Sequence, residues 1–264
     1  MKYAVLLLFF VSTLSCKNKT ETQSKQTPEN SLVSQSNSPY PEAISKILEA
    51  HGGLTNWNIY QTLCFTIEKG EESDEVHTID LKNRRDHIDI GMVTMGFNGS
   101  EAWLQDPEGT YKGNPEFYHN LMFYFYAMPF VLADPGIIYE KTEALVVSDT
   151  SYPGLKISFE ENTGSSANDE YYLYYDAETY QMRWLGYTAT FGAAEKRTGI
   201  NYINYGDWMP VQDLILPKSI SWYAVEEGKP TVPHNTVNFK EPSLSPEARA
   251  ETFYSKNSQI ESDL

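Results

Sequence analysis

The sequence predicts a mainly β domain of the α+β kind, with its strands paired antiparallel. Three observations lead there. From Leu63 onward, apolar residues recur with a period of two in short runs. Turn signals rich in Gly, Pro, Asn and Asp separate those runs, and only three stretches, one of them a short turn, have helical character.

The first helical stretch is 41–50. It places Ile44, Ile47 and Leu48 on one face, with Pro41 near its start and His51-Gly52-Gly53 near its end. A second short helical turn is expected around 55–60. Leu63, Phe65 and Ile67 then alternate with Cys64, Thr66 and Glu68, the pattern of a half-buried strand. Further strands are expected at 75–81, 86–90, 92–97 and 101–105, with a hairpin at Asn98-Gly99 and a type I turn at Asp106-Pro107-Glu108-Gly109. The second half repeats this style, with strands near 137–147, 153–160, 170–175, 181–188, 199–205, 214–225 and 231–239. Asp176-Ala177-Glu178-Thr179 and Glu227-Gly228 supply turns between them. Closely spaced strands with few helical crossovers pair antiparallel.

Residues 115–130 break the period of two. Their second half has no polar face, and the run closes at Asp134-Pro135-Gly136, with Pro and Gly in type II turn positions. This reads as one helix, apolar nearly all round and buried on most sides. Two compatible readings follow: a core helix that plugs the sheet, or a helix with one side on the sheet and the other lining a cavity. The cavity reading nominates Phe117, Leu121, Met122, Phe123, Phe125, Met128 and Phe130 as ligand-binding residues, with Trp184 from the strand at 181–188. Alternation puts Tyr171, Leu173 and Tyr175 on one face and Tyr172 and Tyr174 on the other. It sets Met182 and Trp184 opposite Arg183 and Leu185. Large side chains on both faces imply that both faces are covered. An outward aromatic platform for stacking sugars is the alternative.

Several of these motifs resemble those of a known group. Ala50-His51-Gly52-Gly53-Leu54 with Trp57, the stretch from Met128-Pro129-Phe130 to Asp134-Pro135-Gly136, and the block from Tyr175-Asp176-Ala177-Glu178-Thr179 to Leu216-Pro217-Lys218-Ser219-Ile220 look like an uncharacterised family of bacterial lipoproteins. The last block is also similar to the superfamily of outer-membrane lipoprotein carriers and receptors (Lol-type). The resemblance spans roughly 40–240. It implies a curved antiparallel half-barrel whose concave face is covered by a few helices and holds acyl chains. It offers no catalytic residue to match.

The N-terminus adds a location. Lys2 precedes the apolar run from Ala4 to Val11, which is too short to span a bilayer, and Ser12-Thr13-Leu14-Ser15-Cys16 resembles a lipobox with Thr13 where Leu is usual. Residues 1–15 are expected to be a signal peptide and Cys16 the lipidated residue. The alternative is an ordinary signal peptide cut nearby, leaving a free thiol. Residues 16–39 read as the lipidated cysteine and a polar flexible linker, 40–242 as the folded domain, and 243–264 as a polar tail or short helix. Lys17-Asn18-Lys19 is basic, whereas the resemblance implies acidic residues there in surface-exposed lipoproteins. The expected address is therefore the bacterial envelope, lipid-anchored at the outer membrane and facing the periplasm.

Composition and motifs limit the chemistry. A net charge of −16 argues against nucleic acid and against direct docking on anionic lipid. With Cys16 acylated, Cys64 is alone and reads as a buried structural thiol. His51, His77, His87, His119 and His234 have no metal-helix spacing; His87 with Asp89 reads as a structural pair. Glu71-Glu72 with Asp74 and Glu75 reads as a solvated hairpin turn. No nucleophile elbow, P-loop or dinucleotide fingerprint is present in the sequence, so no catalytic residue, metal or cofactor is expected. The function expected is non-catalytic: an envelope lipoprotein that binds an acyl chain, lipid or other hydrophobic molecule between sheet and helices, with an envelope protein partner of unknown identity. The alternative is a carbohydrate- or protein-binding surface lipoprotein that uses exposed aromatics.

The anchor gives the first prediction. Cys16→Ala should leave the precursor uncut by the lipoprotein peptidase and move the protein out of the membrane fraction, as read by fractionation and immunoblot. Unchanged membrane association would contradict acylation at Cys16.

Overall fold

The computed structural model describes residues 39–70, 73–160, 169–189 and 199–256; Cys16, the expected signal and linker segments, Glu71-Glu72 and the last eight residues lie outside them. Two helices come first, α1 at Glu42–Ala50 and α2 at Leu54–Trp57. Five strands follow: β1 Thr62–Ile67, β2 Glu75–Asp80, β3 Asp86–Ile90, β4 Val93–Phe97 and β5 Ala102–Gln105. Two short helices, α3 Pro115–Tyr118 and α4 Leu121–Tyr126, and a 3-10 turn at Phe130–Ala133 lead to the second set of strands. These are β6 Ile137–Lys141, β7 Leu145–Val147, β8 Thr150–Tyr152, β9 Gly154–Phe159, β10 Tyr171–Tyr175, β11 Met182–Tyr187, β12 Asn201–Val211, β13 Leu214–Glu226 and β14 Lys229–Ser245.

Twelve of the strands form one open antiparallel sheet in the order β5-β4-β3-β2-β1-β14-β13-β12-β11-β10-β9-β6, and β7 and β8 form a separate hairpin. This is the curved, open, mostly β architecture that the sequence leads to. Strand β14 joins the two halves. Its first part pairs with β13 through Lys229 to Asn238, and its second part pairs with β1 through Phe239 to Ser245. The partner changes between Asn238 and Phe239, and Glu241, at a positive φ of 50°, lies in the bulge between the pairs Thr66–Lys240 and Cys64–Ser243. The strand expected at 231–239 therefore runs on to Ser245, past the anticipated domain boundary at 242. Lys240, Glu241 and Pro242 make this stretch read as polar, yet its backbone closes the sheet and Leu244 is buried. Beyond it, a 3-10 turn at Glu251–Tyr254 buries the Tyr254 ring. Trp103 Nε1 donates to the Tyr254 carbonyl at 2.8 Å, and His87 Nδ1 lies 3.1 Å from the Phe253 carbonyl.

The edge strands β5 and β6 follow one another in the chain, so residues 106–136 must travel from one edge of the sheet to the other across a face. They do so as a strap. Its apolar side joins α1, α2 and the inward residues of the sheet in one core that includes Ile47, Leu63, Phe65, Phe123, Phe130, Leu185, Ile203 and Leu216. The single helix expected over 115–130 is instead two short helices and a 3-10 turn. Asn114 caps α3, its side chain accepting from the Glu116 N–H at 2.9 Å, and Pro115 occupies the first helical position. Asn120 then adopts a left-handed φ of 57°, which ends α3 and starts α4. Its backbone N–H donates to Asp86 Oδ2 and its side chain to the Arg84 carbonyl, both at 2.7 Å. Two tertiary hydrogen bonds thus replace helical continuity at Asn120. The Met128–Pro129 peptide is cis, and Gly136 at φ 82° completes the turn before β6.

The strand expected at 137–147 is split, because β7 leaves the sheet to form its hairpin with β8 through Ser148 and Asp149, both at positive φ. A bulge changes a second expectation. Tyr174 pairs with Trp184 but Tyr175 pairs with Met182, so Arg183 is an extra residue in β11. Met182 and Trp184 therefore face opposite sides: Met182 joins the main core, and Trp184 packs on the other face with Leu145, Tyr174 and Tyr202. Both faces of this half of the sheet are covered. Tyr171 and Tyr175 pack toward the strap side, while Tyr172 and Tyr174 pack toward the β7–β8 hairpin.

Candidate functional site

The strap against the inner sheet face is the site nominated by the sequence. Met122, Phe123, Phe125, Met128 and Phe130 are all buried there, and Leu121 is half-buried against them. Phe117 is 45% exposed, and Trp184 lies on the far side of the sheet, so these two are separated from the other six. The packing is aromatic throughout. Phe130 stacks on Trp57 with centroids 4.7 Å apart, Tyr126 lies against Phe65 and Phe239 at 4.4 Å each, and Phe125 meets Tyr187 and Trp222. Tyr205, fully buried beneath, donates its hydroxyl to the Phe125 carbonyl at 2.8 Å. The Tyr126 hydroxyl is buried in this layer and has no hydrogen-bond partner among the described residues.

Polar contacts hold the strap at its ends. Arg84 Nη2 donates to both carboxylate oxygens of Asp134 at 2.7 Å, and the same guanidinium sits 5.3 Å above the Phe123 ring. Asp86 holds Asn120, as above. Tyr118, at the end of α3, donates its hydroxyl to Glu75, which also takes Lys69 Nζ and has His77 Nε2 at 3.4 Å. Glu75 is thus buried rather than part of a solvated turn; it is the inward residue at the start of β2, on the same face as His77. Burial would raise its pKa, but hydrogen bonds from His77, Lys69 and Tyr118 outweigh that and hold it at about 2. Burial lowers the His77 pKa against the pull of Glu75, and burial with the Glu75 charge pushes Tyr118 well above the usual tyrosine range. A carboxylate that accepts from three partners, beside a neutral imidazole and a proton-bearing phenol, is a structural tie. Phe65 stacked on His77 at 4.7 Å closes it from above.

His51, His87 and the thiol have structural partners too. His51 is fully buried, bonds the Ile47 carbonyl through Nδ1 at 2.8 Å and meets Trp208 edge-on. Burial lowers its pKa to about 4 despite that hydrogen bond, so it is neutral at pH 7. His87 Nε2 lies 3.2 Å from Asp89. Cys64 is half-buried and its Sγ is 3.6 Å from Thr78 Oγ1. Among the described residues, no group of three or more His, Cys, Asp or Glu is placed to hold a metal ion.

Six of the residues nominated from the sequence lie together in the strap, whereas the polar residues that tie it were not nominated. Arg84, Asp86, Asn120 and Asp134 come from separate elements, and no period links them. Two weak signals were present: Asn120 is a polar residue inside an apolar run, and Arg84-Arg85 sits in a tight turn, where Arg84 takes a φ of 58°.

A family of unknown function (DUF6503) matches residues 108–237, a stretch that contains the strap and most of the second set of strands. No curated protein matches the sequence. Among solved structures, a LolA superfamily protein from Nitrosomonas europaea is similar, with 9% identity, 80% of this chain and 96% of that one covered, and a TM-score of 0.36. A DUF1329 family protein from Desulfovibrio piger is similar too, at 6% identity over 81% of this chain and 95% of that one, with a TM-score of 0.45.

Asp86 supplies a pH test of the strap's tie. Burial raises its pKa from 3.8 to about 7, against the backbone N–H groups of Asn120 and Phe97 and the nearby His87, which favour the charged form. Between those two values the folded state keeps a proton that the unfolded chain has lost. Stability from this group therefore falls as pH rises from about 4 to about 7 and stays lower above it. Asp86→Asn removes the charge and keeps an acceptor for Asn120. In thermal melts the variant should exceed the parent at pH 8, and its advantage should shrink to nothing near pH 4. An advantage that does not change with pH would show that Asp86 does not titrate in this range.

Proposed function

We propose that this chain is an envelope lipoprotein that holds an acyl chain or a similarly apolar molecule between the inner sheet face and the strap, without catalysing a reaction. The observation that carries this reading is the division of labour along the strap. Its ends are clamped by Glu75–Tyr118, Asp86–Asn120 and Arg84–Asp134, while the side chains of its middle pack through interchangeable apolar contacts and its backbone accepts from the Tyr205 and Tyr139 hydroxyls at Phe125 and Leu132. Helices of four and six residues have almost no stability of their own, so α3 and α4 persist through tertiary packing. An acyl chain entering beneath α4 would replace contacts of Phe125, Tyr126 and Met128 with contacts of the same kind, and Met adapts readily to such exchange. The buried Tyr126 hydroxyl favours the exchange further, because an unsatisfied buried hydroxyl costs roughly 1–3 kcal/mol that outward movement would relieve.

The rest of the reading concerns location. Among the described residues no helix is long and apolar enough to cross a membrane. Acylation at Cys16 would supply attachment, with a polar linker to Pro39 giving the domain reach and the basic Lys17-Asn18-Lys19 placing it on the periplasmic side of the outer membrane. A domain there would exchange its ligand with membrane lipid or with an envelope protein partner.

A dansylated undecanoic acid tests the site. The parent protein should take it up with enhanced, blue-shifted emission, and so should Met92→Asp, a change at a residue that is 71% exposed. Phe125→Asp should abolish uptake. An unpaired buried charge also destabilises by several kcal/mol, so circular dichroism must show the variant folded. Full uptake by folded Phe125→Asp would remove the strap from the site, and no uptake by the parent would contradict acyl binding.

A further inference from the structure

The strap's end at Asp134 meets a cluster of positive charge. The turn between β2 and β3 reads Lys82-Asn83-Arg84-Arg85, in a chain that holds 36 acidic residues against 20 basic ones. Asp80 shapes this turn. Its Oδ1 accepts from the N–H groups of Lys82 and Asn83 at 2.9 and 3.0 Å, and its Oδ2 from the Asn83 side chain at 2.9 Å. The cations then part. Arg85 reaches Glu251 in the C-terminal turn at 2.8 Å and Asp80 at 3.7 Å. Lys82 is exposed, and its Nζ donates to the Asn58 carbonyl at 2.9 Å. Burial lowers the Lys82 pKa and the neighbouring Arg84 charge lowers it further, against the pull of Asp80, which marks the two as crowded cations.

Arg84 turns to the strap. Its Nη1 donates to the Leu81 carbonyl, which steadies the guanidinium, and its Nη2 donates to both oxygens of Asp134 at 2.7 Å. The guanidinium lies 5.3 Å above the ring of Phe123, which is fully buried in α4. Positive charge and the apolar layer therefore meet at one side chain. From Phe123 the layer continues through Phe125, Tyr126 and Met128. The Arg84 side chain is 22% exposed and that of Asp134 35%, so the pair stands at the boundary between this layer and water. Solvent screens a pair this exposed, so exchanging its carboxylate for another costs little.

We infer that the molecule held by the strap is an ionised long-chain carboxylic acid, its carboxylate in the place of Asp134 on Arg84 and its chain running past Phe123 into the apolar layer, which rests on acyl binding beneath the strap and adds the head group to it. Asp134 already shows the fit. A planar guanidinium takes a carboxylate through charge-assisted hydrogen bonds, and an alcohol or an amide offers it no matching charge. Lys82, in the same turn, adds a second positive group. Selectivity follows from the same chemistry. A fatty alcohol or an ester-capped chain would gain the apolar contacts but leave Arg84 with Asp134. The net charge of −16 opposes an anion at long range, where salt screens it, while Arg84 acts at contact.

Photo-crosslinking on the full chain in phosphatidylcholine vesicles tests this at pH 8, where the acid is ionised. Diazirine-bearing palmitate and diazirine-bearing hexadecanol are compared, each label on the strap being normalised to the amount of that lipid in the vesicles. The readout is the ratio of the two labels, so a change in strap stability common to both lipids cancels. In the parent, palmitate should exceed hexadecanol by about tenfold, the discrimination that one charge-assisted pair gives. Arg84→Gln should bring the two labels level, and Arg84→Lys should keep part of the preference. Asp134→Asn, which removes the competing carboxylate, should increase it. Equal labelling in the parent, or a preference that Arg84→Gln leaves unchanged, would overturn the head group while acyl binding stands. Labelling by neither lipid would overturn acyl binding beneath the strap and the head group with it.

Discussion

The pairing of the first strand with the last, at the middle of the sheet, is the constraint on which the rest of the molecule depends. Because β1 lies beside β14, the two edges of the sheet belong to β5 and β6, which follow one another in the chain. The segment between them has to cross a face, and whatever it carries must pack on that face. The sequence there is Leu-Met-Phe-Tyr-Phe-Tyr-Ala-Met, so an apolar layer is laid across the sheet from edge to edge. The strap is thus a consequence of topology, and its composition decides what can lie beneath it.

The energetics of the strap follow from where its polar groups are. Burial of Phe123, Phe125 and Phe130 supplies most of its attachment, at about 1.5–3 kcal/mol for each fully buried aromatic. The ties at Arg84–Asp134, Asp86–Asn120 and Glu75–Tyr118 add direction more than strength. Arg84 and Asp134 are only partly buried, so solvent screens their attraction. Glu75 is different. It is buried with three partners, and removing any one of them would leave an under-satisfied charge in the interior. A segment with fixed ends and an exchangeable middle can open locally while the sheet stays intact.

Much of the fold was legible because it rests on local pattern. Alternation at Leu63, Phe65 and Ile67 located β1, and Ile44, Ile47 and Leu48 located α1, since in each case the buried face is written in the spacing of a few residues. What could not be read depends on contacts between distant residues. The break at Asn120 exists because the Arg84 carbonyl, in the turn between β2 and β3, and the Asp86 carboxylate, at the start of β3, accept its donors. The continuation of β14 through Lys240-Glu241-Pro242 exists because β1 needs a partner, which its polar sequence does not announce. The bulge at Arg183 turned Trp184 away from the core by a shift of one residue, and period-two reasoning has no means of detecting an extra residue. Of the nominated site, the strap residues came together because they are contiguous in sequence, while Trp184 did not because its side depended on register.

The central claim is that an apolar molecule occupies the space between strap and sheet. Native mass spectrometry on the compact unit Ser38–Leu264, purified without detergent, tests it most directly. The account predicts a second species heavier than the polypeptide by the mass of an acyl lipid, lost when the strap residue Phe125 carries a charge in a folded variant. A single species at the polypeptide mass, which stays single after incubation with fatty acid or phospholipid, would contradict it.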